Sequence, residues 1–319
     1  MVVSAPHLDR IQEAGRAIVG AALRTPLVPL NVIDAPSSIH LKLENLQPIG
    51  SFKIRAAAFA MACRSSAELS RGVLTASAGN MGQAVAWEAR RRGIPCTVVV
   101  PDTSPQGKLD GMRRLGARII SVSFDEWWAT LGERSYPGVE GLFIHPFDDE
   151  AVMAGDGTIG LEIIEELPDT DAILVPWGGG GLSTAIASAV RAVKPDCQVF
   201  AVEVDGAAPL NPSLASGTPV EIDYRPSFVD GIGSKTVFPN ILRLAQELLA
   251  GSLVTTATDT AHSVRTLMER NHVVAEGAGA APVAVALSGR VKADRIVCVV
   301  SGGNIDGHKL TKILEGETP

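Results

Sequence analysis

Short runs of β-branched and apolar residues constrain the fold more than any other feature of this chain. The runs Cys96–Val100, Ala172–Pro176 and Arg295–Ser301 read CTVVV, AILVP and RIVCVVS. A strand with one exposed face alternates apolar and polar residues, whereas these runs are apolar at nearly every position. Burial on both faces is typical of parallel sheets covered by helices. The sequence therefore predicts an α/β fold with open, mostly parallel twisted sheets flanked by helices.

Strand-like runs alternate with helix-like segments over most of the chain. The predicted strands are His40–Leu43, Gly72–Ala76, Cys96–Val100, Arg118–Val122, Gly141–His145, Ala172–Pro176, Gln198–Glu203, Leu253–Thr256 and Arg295–Ser301. The predicted helices are Arg55–Cys63, Gly82–Arg91, Gln106–Leu115, Glu150–Glu166, Leu182–Val193, Asp259–Asn271, Gly277–Leu287 and Asp306–Leu314. The segment 145–149 interrupts the alternation and indicates a domain boundary.

Composition and charge narrow the class of protein. A hydrophobic content of 46% with 20% charged residues is typical of a globular protein, and the net charge of −7 argues against nucleic-acid binding. The longest weakly polar run, Val273–Leu287, contains Glu276 and does not read as a membrane span. The four cysteines form no CxxC pair. We expect a cytoplasmic protein that binds small molecules, with no nucleic-acid or membrane partner.

The segment Leu43–Arg55 contains a lysine in an unusual position. Ser51 is predicted to cap the following helix, which places Lys53 in its first turn. The positive end of the helix dipole and an apolar neighbour, Phe52, both disfavour an ammonium group. A lysine that is easier to deprotonate suits Schiff-base chemistry. The alternative, for a lysine taken alone, is a solvated surface residue.

A run of four glycines follows one of the predicted strands. Gly178–Gly181 come after Pro176 and Trp177 and precede the helix that begins at Leu182. Consecutive glycines let the backbone approach a ligand and leave several N–H groups directed at one place. The Gly-Lys-Ser/Thr end of a nucleotide-binding loop is missing, so the predicted ligand of the turn is a single phosphate group.

Two further strand ends carry polar side chains and glycines. Ser77–Gln83 follows a predicted strand and opens a helix, so its N–H groups are suited to a carboxylate, and Asn80 adds an amide. Val299–Asn304 closes the last strand and places the hydroxyl of Ser301 at its end. An ordinary turn or helix cap is the alternative for both segments.

Another glycine pattern, Gly155–Gly160, matches the dinucleotide fingerprint G-x-G-x-x-G. That fingerprint requires its glycines directly after a strand, whereas here a predicted helix has already begun at Glu150. The pattern therefore argues only weakly for an NAD site. Among the carboxylates near strand or loop ends, Glu276 is predicted to face a cofactor.

Five of these motifs occur in the order found in one known family. They are Ser51–Arg55, Ser77–Asn80, Gly178–Leu182, Ala275–Gly279 and Ser301–Asn304. The chain resembles the fold-type II pyridoxal-phosphate enzymes, in the branch that contains threonine/serine dehydratases and serine racemases. The resemblance extends from about Arg24 to Asp306. It implies a large domain of residues 1–64 and 148–319, a small domain of residues 65–147, the cofactor between them, and a homodimer.

The resemblance also implies roles for individual residues. Lys53 would hold pyridoxal 5′-phosphate as a Schiff base. The cofactor would also contact Phe52 against the ring, Asn80 at the 3′-oxygen, Ser301 at the pyridine nitrogen, Glu276, and, around the phosphate, Gly178, Gly179, Gly180, Gly181 and Leu182. The substrate carboxylate would lie against Ser77, Ala78, Gly79, Asn80 and Met81.

Several positions depart from the pattern of the family. Ala78 stands where the racemases carry a serine base on the opposite face of the ring, which disfavours racemisation. Met81 replaces a frequent histidine and Trp177 a small aliphatic residue, which predicts a more apolar pocket for bulkier substrates. Glu203 and Ala207 match a Mg²⁺ or Ca²⁺ site of some relatives, but Pro209 stands where another carboxylate is expected, which leaves the site incomplete.

The combined prediction is a pyridoxal-phosphate-dependent ammonia-lyase. It would convert a 3-hydroxy L-amino acid to a 2-oxo acid and ammonia by β-elimination, with Lys53 removing the α-proton. Threonine, serine, phenylserine and hydroxyaspartate are the candidate substrates. The alternatives within the family are a serine-racemase-type enzyme and a β-replacement synthase. Outside it, they are an NAD-dependent dehydrogenase and a non-catalytic binding protein.

Overall fold

A computed structural model describes residues 4–104 and 106–319, which form ten β-strands and thirteen α-helices. The strands are β1 Leu27–Pro29, β2 Ser38–Lys42, β3 Val73–Ala76, β4 Cys96–Pro101, β5 Arg118–Val122, β6 Leu142–Phe143, β7 Ala172–Pro176, β8 Gln198–Val204, β9 Gly251–Thr255 and β10 Arg295–Val299. The helices are α1 Leu8–Ala17, α2 Lys53–Ala62, α3 Ser66–Leu69, α4 Asn80–Arg92, α5 Gln106–Arg114, α6 Phe124–Glu133, α7 Glu150–Glu166, α8 Gly181–Val193, α9 Leu210–Ser216, α10 Pro239–Leu248, α11 Ala257–Asn271, α12 Gly277–Leu287 and α13 Gly307–Leu314.

The strands form two sheets. The larger has six strands in the order β1-β2-β10-β7-β8-β9, and the smaller has four in the order β5-β4-β3-β6. All neighbouring pairs are parallel except β1 with β2. Every residue of β3 and β7 is buried, as their apolar sequences predict. The predicted α/β class with mostly parallel sheets is confirmed.

The strand order brings distant segments of the chain together. β2, β10 and β7 are consecutive in the large sheet and run parallel, so their carboxyl ends lie at one edge. The segments that follow them lead to Lys53, to Ser301 and to the four glycines. In open α/β sheets, ligands bind outside the carboxyl ends of the strands. Three of the predicted motifs therefore meet where a ligand is expected.

The Gly155–Gly160 pattern lies inside α7, and its glycines serve helix packing. A side chain at Gly155 would collide with the backbone carbonyl of Arg55 on α2. A Cβ at Gly160 would lie 3.0 Å from the carbonyl oxygen of Ile186 on α8. Because these glycines do not follow a strand, the requirement of the dinucleotide fingerprint is not met.

The two sheets divide the chain in sequence. All strands of the small sheet lie between Val73 and Phe143, and those of the large sheet lie outside that range. A buried cluster joins α2 and α7 to α4 and β4, with Ile54, Met81, Val98 and Val152 among its members. The domain boundaries at residues 64/65 and 147/148 stay a prediction. In the described part of the chain, no helix combines the length and apolar character needed to cross a membrane.

Candidate active site

The helix that carries the candidate lysine begins at Lys53 itself. Phe52, with φ −56° and ψ −24°, occupies the N-cap position, and no side chain caps the helix. The predicted N-cap role of Ser51 is therefore wrong. Ser51 pairs with Gly302 in an antiparallel bridge, and the N–H of Phe52 donates to the carbonyl of Ser301 at 3.0 Å. These contacts replace the side-chain cap and fix the start of α2 to the segment after β10.

The amine of Lys53 lies in an apolar, partly buried environment. Its Nζ donates a hydrogen bond to the carbonyl oxygen of Pro146 at 2.5 Å and is 4.8 Å from the centre of the Phe52 ring. Burial lowers the pKa of Lys53, and the nearby carboxylate of Asp156 acts in the opposite direction. The sequence predicted an easily deprotonated lysine, and the structure gives desolvation as the main cause.

The four-glycine turn offers several free N–H groups. Gly180, with φ +85°, is the N-cap of α8, and Gly181 is the first helical residue. Within the described residues, the N–H groups of Gly178–Leu182 have no acceptor in the protein. Free N–H groups at the positive end of a helix form an anion site. The turn is therefore suited to a phosphate group.

The segment around Phe147 connects the amine to the glycine turn. Lys53 binds the carbonyl of Pro146, and the next residue, Phe147, packs its ring against Gly179. A Cβ at Gly181 would lie 2.8 Å from the carbonyl oxygen of Phe147. The candidate amine and the candidate anion site therefore contact adjacent residues of one short segment.

Asn80, Glu276 and Asn304 form a hydrogen-bonded chain between the two sheets. The Nδ2 of Asn80 donates to Oε1 of Glu276 at 2.7 Å, and Nδ2 of Asn304 donates to Oδ1 of Asn80 at 2.8 Å. Burial, with a smaller contribution from Asp230, raises the pKa of Glu276 to about 7. Ser301, which is 3% exposed, precedes Gly302, whose carbonyl accepts from the N–H of Glu276. The predicted ring-binding residues are thus brought together.

The segment predicted to bind the substrate carboxylate opens α4. Ser77, Ala78, Gly79 and Asn80 are partly exposed, and Asn80 is the first residue of the helix. Within the described residues, the N–H groups of Ala78 and Asn80 have no acceptor in the protein. This helix end, which follows the carboxyl end of β3, is therefore suited to a second anion.

The two large residues predicted to reshape the pocket are buried in hydrophobic clusters. Met81, at 2% exposure, packs in the cluster with Val98 and Met112. Trp177, at 1% exposure, packs with Met153 and Ile241, and its Nε1 has no hydrogen-bond partner. The ring of Trp177 also lies against the four-glycine turn, because a Cβ on Gly180 would collide with it.

Glu203 caps a helix. Its Oε1 accepts from the N–H of Leu210 at 2.8 Å, and its Oε2 accepts from the N–H of Asn211 at 2.9 Å and from Oγ of Ser252 at 2.6 Å. Ala207 is buried and has no side-chain ligand atom. Across residues 4–104 and 106–319, no group of three or more His, Cys, Asp or Glu side chains is placed to hold a metal ion.

Sequence reasoning missed two features near the candidate lysine. Asp156 belongs to the glycine pattern that was read for NAD, and nothing in that pattern signals a buried acid. An aromatic cluster also forms around Phe147, whose ring centre is 4.7 Å from that of His145 and 5.2 Å from that of Phe238. Trp128 on α6 reaches Phe238 at 5.5 Å. These residues are far apart in the sequence, so no local motif indicates the aromatic cluster.

Comparison with known proteins places this site in a family context. Residues 18–302 match the profile described as "Pyridoxal-phosphate dependent enzyme". The chain is 38% identical to an L-threonine ammonia-lyase of Thermotoga maritima over 96% of its length and 78% of the relative. It is 32% identical to a catabolic L-threonine dehydratase of Staphylococcus aureus over 97% of its length and 92% of the relative.

Solved structures show the same likeness. Maize serine racemase superposes with a TM-score of 0.91 at 29% identity, covering 98% of each chain. The processed form of threonine deaminase isoform 2 from Solanum lycopersicum has a TM-score of 0.86 at 31% identity, covering 99% of this chain and 96% of that one. The fold is therefore shared along nearly the full length of these proteins.

Proposed function

Because the chain belongs to the pyridoxal-phosphate-dependent enzyme family, we propose that it is an ammonia-lyase of the threonine/serine dehydratase type. Its reaction is the conversion of a 3-hydroxy L-amino acid to a 2-oxo acid and ammonia. The observation that carries the proposal is the position of Lys53, whose amine contacts the segment that packs on the four-glycine turn. The threonine ammonia-lyase and dehydratase relatives support the same reaction class.

The residues present fit pyridoxal phosphate. The free N–H groups of Gly178–Leu182 suit its phosphate, and Lys53 is the amine that binds its aldehyde. Asn80 retains one amide hydrogen for the ring oxygen, because it donates the other to Glu276. Ser301 is assigned to the pyridine nitrogen. When bound, the cofactor withdraws electrons from the α-carbon of an attached amino acid, which makes the α-proton acidic.

The protein then orients the substrate and moves its protons. The free N–H groups at the start of α4 hold the substrate carboxylate. Lys53 Nζ accepts the α-proton and returns a proton to the departing hydroxyl, and the carbonyl of Pro146 keeps the amine oriented. Ala78 has no group that exchanges a proton. The chemistry is therefore confined to the side of the substrate that faces Lys53, which predicts L-specificity.

Threonine and serine are the proposed substrates. The bulkier candidates, phenylserine and hydroxyaspartate, depend on a pocket reshaped by Met81 and Trp177, and that reshaping stays a prediction. A serine-racemase-type activity is the second candidate, because the fold closely matches that of maize serine racemase. Against it stands Ala78 in place of a residue able to act as a second base.

The first experiment tests the cofactor and its lysine. The purified protein should be yellow and absorb at the violet end of the visible spectrum, as pyridoxal phosphate bound to a lysine does. The Lys53→Ala variant should lose this absorbance. Replacing the exposed Lys292 by alanine serves as the matched control and should leave the spectrum unchanged. A colourless wild-type protein that does not take up added pyridoxal phosphate contradicts the proposal.

The second experiment tests the reaction. A panel of threonine, serine, phenylserine and 3-hydroxyaspartate is assayed for 2-oxo acid and, by chiral separation, for D-isomers. Keto-acid release from L-threonine or L-serine without a D-isomer supports the lyase, whereas D-isomer formation as the main product supports the racemase. Running the panel with and without Mg²⁺ tests whether the reaction needs a divalent metal, and the molar mass in solution tests the proposed homodimer.

A further inference from the structure

An irregular segment between β6 and α7 holds the candidate lysine. β6 ends at Phe143 and α7 begins at Glu150, and the residues between them belong to no helix or strand. The carbonyl oxygen that accepts from Lys53 Nζ at 2.5 Å belongs to Pro146, in the middle of this segment. Buried backbone outside a helix or sheet needs other hydrogen bonds to satisfy its polar groups. The position of the amine therefore depends on what fixes this segment.

The side chain of His145 supplies these hydrogen bonds. His145 is 1% exposed, and its Nδ1 accepts from the N–H of Asp148 at 2.8 Å and from that of Phe147 at 3.3 Å. Pro146 has no N–H, so these two are the first backbone donors after His145. The imidazole thus closes a turn around Pro146, the residue whose carbonyl binds the amine.

The segment closed by His145 also contacts the four-glycine turn. The ring of Phe147 packs against Gly179, and the carbonyl oxygen of Phe147 would lie 2.8 Å from a Cβ on Gly181. The His145 ring meets that of Phe147 edge-on, with the two ring centres 4.7 Å apart. One imidazole therefore fixes both the acceptor of the amine and the aromatic wall of the four-glycine turn.

Only one form of the imidazole is suited to this role. An Nδ1 that accepts hydrogen bonds carries no proton, so the ring must be neutral with its proton on Nε2. Burial lowers the pKa of His145 to about 3, and the positive charges of Arg134 and Lys53 act in the same direction. The ring therefore stays neutral at physiological pH, and its contribution is the geometry of the turn.

We propose that His145 is a positioning residue, whose Nδ1 holds the amine of Lys53 at a fixed distance from the four-glycine turn. The inference rests on the proposed function, in which one molecule of pyridoxal phosphate must meet the amine and the turn at once. Because its phosphate group is bound at the turn, a displaced amine reaches the aldehyde less often. A misplacement of about 1 Å is enough to slow a reaction by up to about a hundredfold.

Three variants that differ in the position of the acceptor test the proposal. In His145→Asn, the amide oxygen is as many bonds from the backbone as Nδ1 and accepts from the same N–H groups. In His145→Gln, the amide group lies one bond further from the backbone, near the position of Nε2, and in His145→Leu the side chain has no acceptor. Since asparagine and glutamine carry the same amide group, each variant is the matched control for the other.

The experiment measures how fast Lys53 takes up the cofactor. The full-length protein, freed of cofactor, is mixed with pyridoxal phosphate without any amino acid, timed samples are reduced with borohydride, and the modified Lys53 peptide is quantified by mass spectrometry. We expect His145→Gln and His145→Leu to attach the cofactor about tenfold more slowly than the wild type, and His145→Asn to recover most of the rate. All three variants lose a buried ring and with it stability, so a merely structural role would make the rate follow the unfolding midpoint. Equal rates in His145→Asn and His145→Gln, or rates that follow stability instead of the acceptor position, overturn the proposal.

A measurement on the wild-type protein keeps the proposal testable if no His145 variant folds. Nitrogen-15 NMR distinguishes the two neutral forms of an imidazole from each other and from the charged form. His145 should show the neutral form with its proton on Nε2 throughout the physiological pH range. A proton on Nδ1 would overturn the proposal, because that nitrogen would then have no lone pair for the two N–H groups.

Failure of the proposed function is distinguishable from failure of this inference. Attachment rates that depend on the acceptor at position 145, without lyase activity, remove the function alone. Lyase activity with equal attachment rates in His145→Asn and His145→Gln removes the positioning role alone. If the wild type takes up no cofactor, the proposed function fails, and the rate at which acetic anhydride labels Lys53 decides the positioning role. His145→Asn should then match the wild type and His145→Gln should differ from it, whereas equal labelling of the two variants overturns the inference.

Discussion

Two glycine-rich segments of this chain look similar in sequence and differ in what their backbones do. In the turn Gly178–Gly181, the N–H groups have no acceptor among the described residues, and the turn precedes α8 at the end of β7. In Gly155–Gly160, the glycines lie inside α7, where they let α2 and α8 approach. Free N–H groups make a binding site, whereas paired N–H groups in a helix make a packing surface. Whether the backbone N–H groups are hydrogen-bonded within the protein distinguishes the turn from the helical segment.

Adding a side chain to the packing surface of α7 tests this difference most directly. Gly155→Ala places a Cβ against the carbonyl of Arg55, which belongs to the backbone and cannot move aside. We expect a loss of about 3 kcal/mol in the free energy of unfolding, because overpacking a tight helix contact is costly. Denaturant unfolding monitored by circular dichroism measures it. An unchanged midpoint would mean that the glycine is not needed for packing.

The same change in the turn should act on binding. In Gly179→Ala, the Cβ meets the ring of Phe147, a side chain that is able to shift, so the fold is expected to tolerate it better than Gly155→Ala. Relief of the clash between the new Cβ and the Phe147 ring also displaces the backbone N–H groups of the turn. We therefore expect the affinity for pyridoxal phosphate to fall about tenfold, or about 1.4 kcal/mol. Equilibrium titration of cofactor into the stripped protein measures this. Retained affinity with lost stability would show that the two segments do not differ as described.

An anion should stabilise the turn in the absence of cofactor. Inorganic phosphate at ten times its dissociation constant is expected to raise the free energy of unfolding by about 1.4 kcal/mol, since it binds only the folded form. Thermal melts of the stripped protein in rising phosphate, at constant ionic strength, measure the effect. Gly179→Ala should reduce the response, and chloride in place of phosphate is the control. A melting temperature independent of phosphate would contradict the anion site.

A helical glycine with open space around it should behave in the opposite sense from Gly155. A Cβ on Gly132 of α6 would meet nothing within 4 Å. Gly132→Ala is therefore expected to stabilise the protein by about 0.5 kcal/mol, because alanine has the higher helix propensity and restricts the unfolded chain. Parallel unfolding curves for Gly132→Ala and Gly155→Ala make the comparison. Equal effects of the two substitutions would mean that packing does not decide the role of Gly155.

The sequence predicted the strands better than the helices. Every predicted strand overlaps an observed one, and only the antiparallel β1 was missed. By contrast, α1, α3, α9 and α10 were not predicted. Strands buried on both faces are apolar throughout and easy to recognise, whereas an amphipathic helix such as α10 combines apolar residues with Asn240, Gln246 and Glu247. The start of α2 was placed correctly within two residues, but through a cap that does not form.

The roles assigned to Lys53, Asn80, Ser301 and the four glycines stay predictions, but their convergence follows from the strand order. By itself, the sequence determined the parallel α/β class and the motifs at the strand ends. Apolar runs and glycine turns are local features, which are recognised without knowing which residues surround them in the fold. Only the tertiary structure decided that Ser51 pairs with Gly302, that the ring of Trp177 lies against the four-glycine turn, and that Asp156 is buried without a hydrogen-bond partner among the described residues. Burial and the identity of a partner depend on residues far apart in the chain, and their contacts are set by helix and strand packing.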